Sequence, residues 1–277
     1  MSTVAILGAG PLGSAVAHRL CQRGRVRRII LVDERVDSAA GKALDLQQSG
    51  PVEHFDTALV AERDVLAATG ASVVVVADEI AGGEWEGDRG LAHVGRLVRA
   101  GSRAPIVFAG PLQTRLMERC YTELKIPTRR LIGTAPSSMT AAAQALTGLE
   151  LNMSGVELVL VGRPPKLVAA WSAASVAGSL LSERINGHRL LALSASVARL
   201  WPPGPIAIAA ATAPVVEALI DGSRRMHDAL TVLEGELGVR GTAVMLPLQI
   251  GIGGIVRHVL PSLSPQERTE LATSIGT

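Results

Sequence analysis

The chain has 277 residues, enough for two domains of ordinary size and a substantial core. Hydrophobic residues make up 48% but aromatics only 2%, so that core must be built from Ala, Val, Leu and Ile. A net charge of +2 is too small to imply nucleic acid, and the basic run from Arg23 to Arg28 reads as a solvated helix end and loop.

Val4-Ala5-Ile6-Leu7 is short, apolar and rich in strand formers. Gly8-Ala9-Gly10-Pro11-Leu12-Gly13 follows at once and opens a helical pattern. A second apolar strand, Ile29-Ile30-Leu31-Val32, ends at Asp33, twenty residues after Gly13. Together these form a dinucleotide-binding fingerprint, in which each part has a physical task. Gly8 permits the tight turn, Gly10 lets a pyrophosphate approach the backbone, and Gly13 lets the helix pack on the strand. Pro11 opens the helix, and the free N–H groups that follow, on Leu12 and Gly13, face the phosphates. Asp33 is suited to accept hydrogen bonds from the adenosine ribose. It would repel a 2′-phosphate, so NAD is expected over NADP, a preference that Arg35 softens slightly.

Ser38–Gln48 has helical spacing and meets a stop signal at Gly50-Pro51. Ser72–Ala77 is a continuous β-branched run, as expected for a strand buried on both faces. A Gly-rich loop from Asp78 to Gly90 and a helix from about Leu91 to Ala100 come next. Pro105–Ala109 and Leu131–Gly133 are further strands, so the first half predicts a parallel, doubly wound sheet. Ligands of such a sheet sit at the carboxyl ends of its strands.

In the second half Ala141–Leu146 and Ser175–Ile185 have helical spacing, and Val156–Val161 reads as a strand. The most hydrophobic stretch, Pro203–Ile220, carries three prolines and Glu217, so a buried helix is expected there and no membrane span. Leu230–Leu237 and Ala243–Leu248 look like paired strands. The last helix starts from Ser264, with Pro265 first and Glu267 three residues after the cap. The expected fold is α/β: an N-terminal Rossmann domain over 1–134, then an α+β domain over 135–277 for substrate and oligomerisation. Cys21 and Cys120 lack metal-ligand spacing, so no metal is expected, and two thiols in a long chain suggest a reduced, cytoplasmic setting. A fingerprint that begins at residue 8 leaves no room for a signal peptide.

The order of these elements, with several local motifs, resembles the lactate/malate dehydrogenase family over nearly the whole chain. Besides the fingerprint and Asp33, the matching residues are Gly41-Lys42-Ala43-Leu44-Asp45-Leu46, Gly133-Thr134, Gly162, Trp171-Ser172 and Leu246-Pro247-Leu248-Gln249-Ile250-Gly251. The resemblance implies hydride transfer between NAD and a 2-hydroxy or 2-oxo acid, in a homodimer or homotetramer.

The family's catalytic residues do not carry over. Its Gly-Glu-His-Gly-Asp aligns with Gly162-Arg163-Pro164-Pro165-Lys166, which puts Pro164 at the acid/base histidine. The aspartate partner falls on Ser137, the substrate-clamping arginine on Thr140, and the asparagine of Ser-Asn-Pro on Gly110. The mobile loop, normally rich in arginine, is acidic here from Asp78 to Arg89, with Asp88 or Arg89 at the arginine position. A positioned proton donor is worth roughly 10²–10⁴-fold in rate, and carboxylates are best oriented by an arginine fork. Like charges about 4 Å apart at an effective dielectric of about 20 cost on the order of 4 kcal/mol, so a closing loop would repel a dicarboxylate.

None of the six histidines, His18, His54, His93, His188, His227 and His258, is marked out as a replacement, though His93 follows the loop. If the loop closes on a ligand, Arg89 and Trp85 are the side chains best suited to touch it; otherwise Arg89 reads as a solvated partner of Glu84 or Glu86, and Trp85 equally as packed against the second domain. The catalytic residues are therefore unknown at this level, and the physiological ligand is unidentified. The reading favoured by the residues is an NAD(H)-binding protein without lactate or malate turnover. The alternatives are an oxidoreductase with relocated groups acting on another hydroxy or oxo substrate, and a structural oligomer that has also lost the cofactor.

Overall fold

The computed structural model describes residues 2–276. In chain order, β1 (Thr3–Leu7), α1 (Pro11–Arg23), β2 (Arg28–Val32), α2 (Val36–Glu53), β3 (Ala58–Glu62) and β4 (Val73–Val76) form the first lobe of the sheet. A two-stranded hairpin, β5 (Asp78–Glu79) and β6 (Gly83–Glu84), leads into α3 (Gly87–Arg99). Then come β7 (Ile106–Phe108), α4 (Thr114–Thr122), β8 (Leu131–Gly133) and α5 (Ser137–Leu151). The remainder holds β9 (Val156–Glu157), β10 (Leu160–Arg163), β11 (Lys166–Ala169), β12 (Ser175–Val176), β13 (Ser179–Leu180), α6 (Gly187–Ala198) and α7 (Pro205–Asp221). It closes with β14 (Met226–Glu234), β15 (Arg240–Gly251), β16 (Gly254–His258) and α8 (Pro265–Ile275).

One sheet runs through both halves, in the order β11-β10-β15-β14-β8-β7-β4-β1-β2-β3, with β16 paired to β15. The six strands from β8 to β3 are parallel, and β14, β15, β10 and β11 continue antiparallel. Val73 to Val76 all point into packed layers, as a strand covered on both faces requires. One core lies between the sheet and α1, α2, α7 and α8; the other lies beneath α3, α4, α5 and α6. Chain order reverses between β1 and β4, so the ligand crevice of such a sheet opens beyond Leu7 and Val76.

Two expectations need correction. Gly50-Pro51 does not stop the second helix, which runs on to Glu53. Pro51 lies in the last turn, where few hydrogen bonds remain to be lost, and the turn back comes at His54 in the left-handed region. Ser175–Ile185 is not helical either. Ala177-Gly178, both at positive φ, turns β12 back on β13, and only Leu181–Glu183 coils, as a 3-10 turn. A two-residue turn with both φ positive is the favoured hairpin connection, and it overrides the helical spacing of Val176, Leu180 and Leu181. The last helix has the expected cap, with Ser264 and Glu267 forming a reciprocal capping box. Glu267 also accepts from the Ser172 N–H at 2.9 Å, which ties that motif to the last helix.

A bidentate ion pair joins the halves at α1 and α7. Arg23 donates to Glu217 through Nε and Nη2, each at 2.6 Å, and Glu217 is 8% exposed. Arg23→Ala would leave that carboxylate buried with only Arg25, 3.8 Å away, as a counter-charge. Loss of about 2 kcal/mol of unfolding stability is expected, readable in urea denaturation. Arg25→Ala, at a more exposed arginine, should cost under about 1 kcal/mol.

Candidate nucleotide crevice

The Gly-rich turn brings Gly8, Gly10, Pro11, Leu12 and Gly13 to the crevice. Gly8 has φ 99° and donates to Val32 O at 2.7 Å. A Cβ on Gly13 would collide with the Gly8 carbonyl, so strand and helix meet only because residue 13 has no side chain. Helix α1 has no side-chain cap: Gly10 holds the cap position and Pro11 carries no N–H. Its first two free donors, on Leu12 and Gly13, reach the Asp78 carboxylate at 3.1 and 2.8 Å. Gly10 N–H donates to the Asp78 carbonyl at 2.8 Å. A Cβ on Gly10 would land on the Asp78 carboxylate. The space that Gly10 leaves open is therefore taken by a side chain of this protein.

Asp33 is 1% exposed, and backbone groups engage both its oxygens. Oδ2 accepts from Ala9 and Ile80 N–H at 3.0 Å each, and Oδ1 accepts from Arg35 N–H at 3.0 Å. Lys42, from the Gly-Lys-Ala-Leu-Asp-Leu motif, donates to the Ala9 carbonyl at 2.7 Å and to Ser14 Oγ at 3.1 Å, which sets an ammonium against the turn. All six fingerprint residues are thus gathered as a dinucleotide cradle needs. In this conformation residues 78–80 engage the Gly10, Leu12 and Gly13 donors and one oxygen of Asp33.

The segment expected to be a loose, Gly-rich loop is a hairpin followed by the first turn of α3. Glu84 lies over Gly110, where any Cβ would strike it, and accepts from Leu112 N–H at 2.8 Å. From beneath, the fully buried Gln113 donates to the Ala77 carbonyl at 2.7 Å and accepts from Gly110 N–H at 3.0 Å. Trp85 is 4% exposed and packs in the core with its ring 4.1 Å from that of His93. Arg89 is committed to Glu34 at 2.9 Å and Glu79 at 3.0 Å, and Asp88 pairs with Arg119 at 2.8 Å. Of the alternatives open in the sequence, Trp85 takes the packed one and Arg89 an ion-paired one, with Glu34 and Glu79 as its acids.

The strand registers place the remaining positions. Gly162 pairs with Met245, Met245 with Leu230, and Leu230 with Gly133. Strand β10 runs opposite to β8, and Pro164 lies in the turn from β10 to β11. Ser137 and Thr140 lie beyond Gly133, on the crevice side. The turn at Pro164-Pro165 holds no ionisable group; beside it Arg163 pairs with Glu118, and its N–H donates to Ser274 Oγ at 2.8 Å. A cavity of about 530 Å³ is lined by Ser137, Ser138, Thr140, His227 and Asp228. The Ser137 and Ser138 hydroxyls are buried without a hydrogen-bond partner, and Thr140 adjoins the Asp228 carboxyl, which burial holds above its usual range. Burial likewise pushes His227 down, towards neutrality, with Arg225 adding to the effect. His18 pairs with Glu53 and His258 faces Glu236, so both are engaged at the surface. Among the described residues no cluster of three His, Cys, Asp or Glu side chains could hold a metal ion, and no helix is long and apolar enough to cross a membrane.

Asp78, Lys42 and Gln113 escaped the sequence reading of the crevice. Asp78 had a signal: it directly follows β4, whose pairing with β1 places its carboxyl end at the Gly-rich turn.

Comparison with known proteins agrees with this geometry. Residues 2–83 match the NAD-binding domain of lactate/malate dehydrogenase. The malate dehydrogenase of Thioalkalivibrio sulfidiphilus is 29% identical over 100% of this chain and 97% of its own length. That of Chlorobium phaeobacteroides is 27% identical over 98% of this chain and 94% of its own. Among solved structures, the minor L-lactate dehydrogenase of Enterococcus mundtii superposes with a TM-score of 0.88 at 20% identity, covering 99% of this chain and 95% of that one.

Glu84 gives the crevice a pH dependence. Burial raises its carboxyl from the ordinary 4.5 to about 7; the Leu112 N–H opposes the shift, while Glu86 and Asp78 add to it. The folded value exceeds the unfolded one, so this group's stabilisation is complete below about pH 4.5 and is lost as pH rises through about 7. Melting temperature should fall between pH 5 and 8, and Glu84→Gln should flatten that fall. A profile unchanged in the variant would exclude Glu84 as its source.

Proposed function

Because the chain belongs to the lactate/malate dehydrogenase family, we propose that it is an NAD(H)-binding protein of that family without lactate or malate turnover. One observation carries the reading. The positions that the family resemblance assigns to the acid/base histidine, its aspartate and the substrate arginine hold Pro164, Ser137 and Thr140. Proline has no proton to give, and two hydroxyls cannot form an arginine fork around a carboxylate. The acids of the hairpin add to this, since Asp78 lies over Gly10 and Glu84 over Gly110. An incoming oxaloacetate would meet like charges at a cost on the order of a few kcal/mol. Residues 2–83, with the intact glycine turn and Asp33, support the cofactor half of the reading.

A second reading, an oxidoreductase acting on a different hydroxy or oxo compound, is favoured by the cavity beside α5. Its unpartnered Ser137 and Ser138 hydroxyls and its neutral-leaning His227 suit a polar ligand without a negative charge.

NADH titrated by calorimetry is expected to bind saturably, within the millimolar range. Oxaloacetate and pyruvate with NADH should turn over at least about 10²-fold below an ordinary rate of about 10 s⁻¹, the deficit expected without a proton donor. Turnover of either acid near about 10 s⁻¹ would sink the claim of lost activity. Turnover of a neutral hydroxy compound, removed by His227→Gln, would favour the second reading.

A further inference from the structure

The chain places a carboxylate where a dinucleotide site of this build holds its pyrophosphate. Helix N-termini attract anions through unsatisfied N–H groups and the positive end of the helix dipole. In this chain the Asp78 carboxylate meets that demand in bidentate fashion, one oxygen to Leu12 N–H and the other to Gly13 N–H. It overlaps the volume that the missing Gly10 side chain keeps clear. Lys42, set against the same turn, supplies a cation close by. A second mimicry lies alongside: Ile80 N–H donates to Asp33 Oδ2, the oxygen suited to a ribose hydroxyl. Two neighbouring residues of one hairpin thus take up the phosphate and ribose contacts together.

We infer that Asp78 is a built-in competitor of the dinucleotide pyrophosphate, and that the Asp78–Gly83 segment of the hairpin must leave the crevice before a dinucleotide can enter. The inference rests on the NAD(H)-binding reading above. The hairpin is built to be displaced. Its turn, Ala81-Gly82-Gly83, is exposed, and Gly83 adopts φ 81°. The hairpin's ion pair to α3, Glu79 with Arg89 at 3.0 Å, is buried on the Glu79 side, but its arginine is 53% exposed and is shared with Glu34. Beyond the turn, Glu84 and Trp85 stay fixed to Leu112 and the core, so the moving part is bounded at that end. Asp78 therefore sets how tightly this family member holds its cofactor, by contributing an opposing ligand in place of a contact.

The test compares the full-length protein with Asp78→Ala and Asp78→Asn, using NADH and inorganic pyrophosphate as probes. Asp78→Ala should tighten NADH at least tenfold and gain saturable pyrophosphate binding that the parent lacks. Asp78→Asn, which keeps an acceptor but loses the charge, should fall between. Hydrogen exchange should show Leu12 and Gly13 amides protected in the parent and released in Asp78→Ala. In the parent itself, saturating NADH should speed exchange at Ile80, because the hairpin has left Asp33. Equal NADH affinity in parent and Asp78→Ala would overturn the competitor and leave NAD(H) binding standing. Pyrophosphate binding by Asp78→Ala with no NADH binding by any form would uphold the competitor and remove the NAD(H) reading. Binding of neither probe to any form, or slower Ile80 exchange with NADH, would overturn the inference.

Discussion

The first turn of α1 has donors and no cap of its own, and the organisation of the crevice follows from that. Gly10 offers no side-chain acceptor and Pro11 no N–H, so the demand of Leu12 and Gly13 must be met from elsewhere in the molecule. Asp78 meets it across the β1–β4 pairing. Once that carboxylate is in place, Ile80 falls within reach of Asp33, Arg89 within reach of Glu79 and Glu34, and Glu84 over Gly110. The hairpin is thus organised by its first residue, and each later contact depends on the register that Asp78 sets.

The legible part of the molecule was the local part. β1, the glycine turn, α1 and Asp33 could be read because strand, turn and helix are consecutive and each glycine answers a steric need beside it. The capping box at Ser264 and Glu267 was readable for the same reason. The occupant of the crevice was not, since Asp78 lies 65 residues from Gly13 in the chain and meets it only through sheet pairing. Helical spacing misled at Ser175–Ile185, where backbone turn chemistry at Ala177-Gly178 outweighs side-chain periodicity. Burial of Trp85 was ambiguous in the sequence, because a tryptophan flanked by glutamates reads equally as a pocket lid or as core. Its place in the core, with its ring against His93, decides it.

The second half keeps the fold of its structural neighbours, and several of its polar residues serve that frame. Ser172 keeps a structural task, through Glu267, and Thr134 hydrogen-bonds Thr212 at 2.7 Å deep in the core, so the joint between the halves remains packed. The hairpin at Pro164-Pro165 is closed against α4 and α8 by Arg163 with Glu118 and by Ser274. These contacts hold the turn in place without presenting any group to a substrate.

The bidentate pair between Arg23 and Glu217 gains a wider meaning from this. It fixes the far end of α1 to α7, while Gly13 seats the near end directly on the β1 backbone. Helix α1 is therefore a strut pinned at both ends, unable to recoil from whatever arrives at its tip. A rigid post beside a pliant flap allows only one degree of freedom at the crevice mouth, and whatever ligand is selected there is selected by the flap.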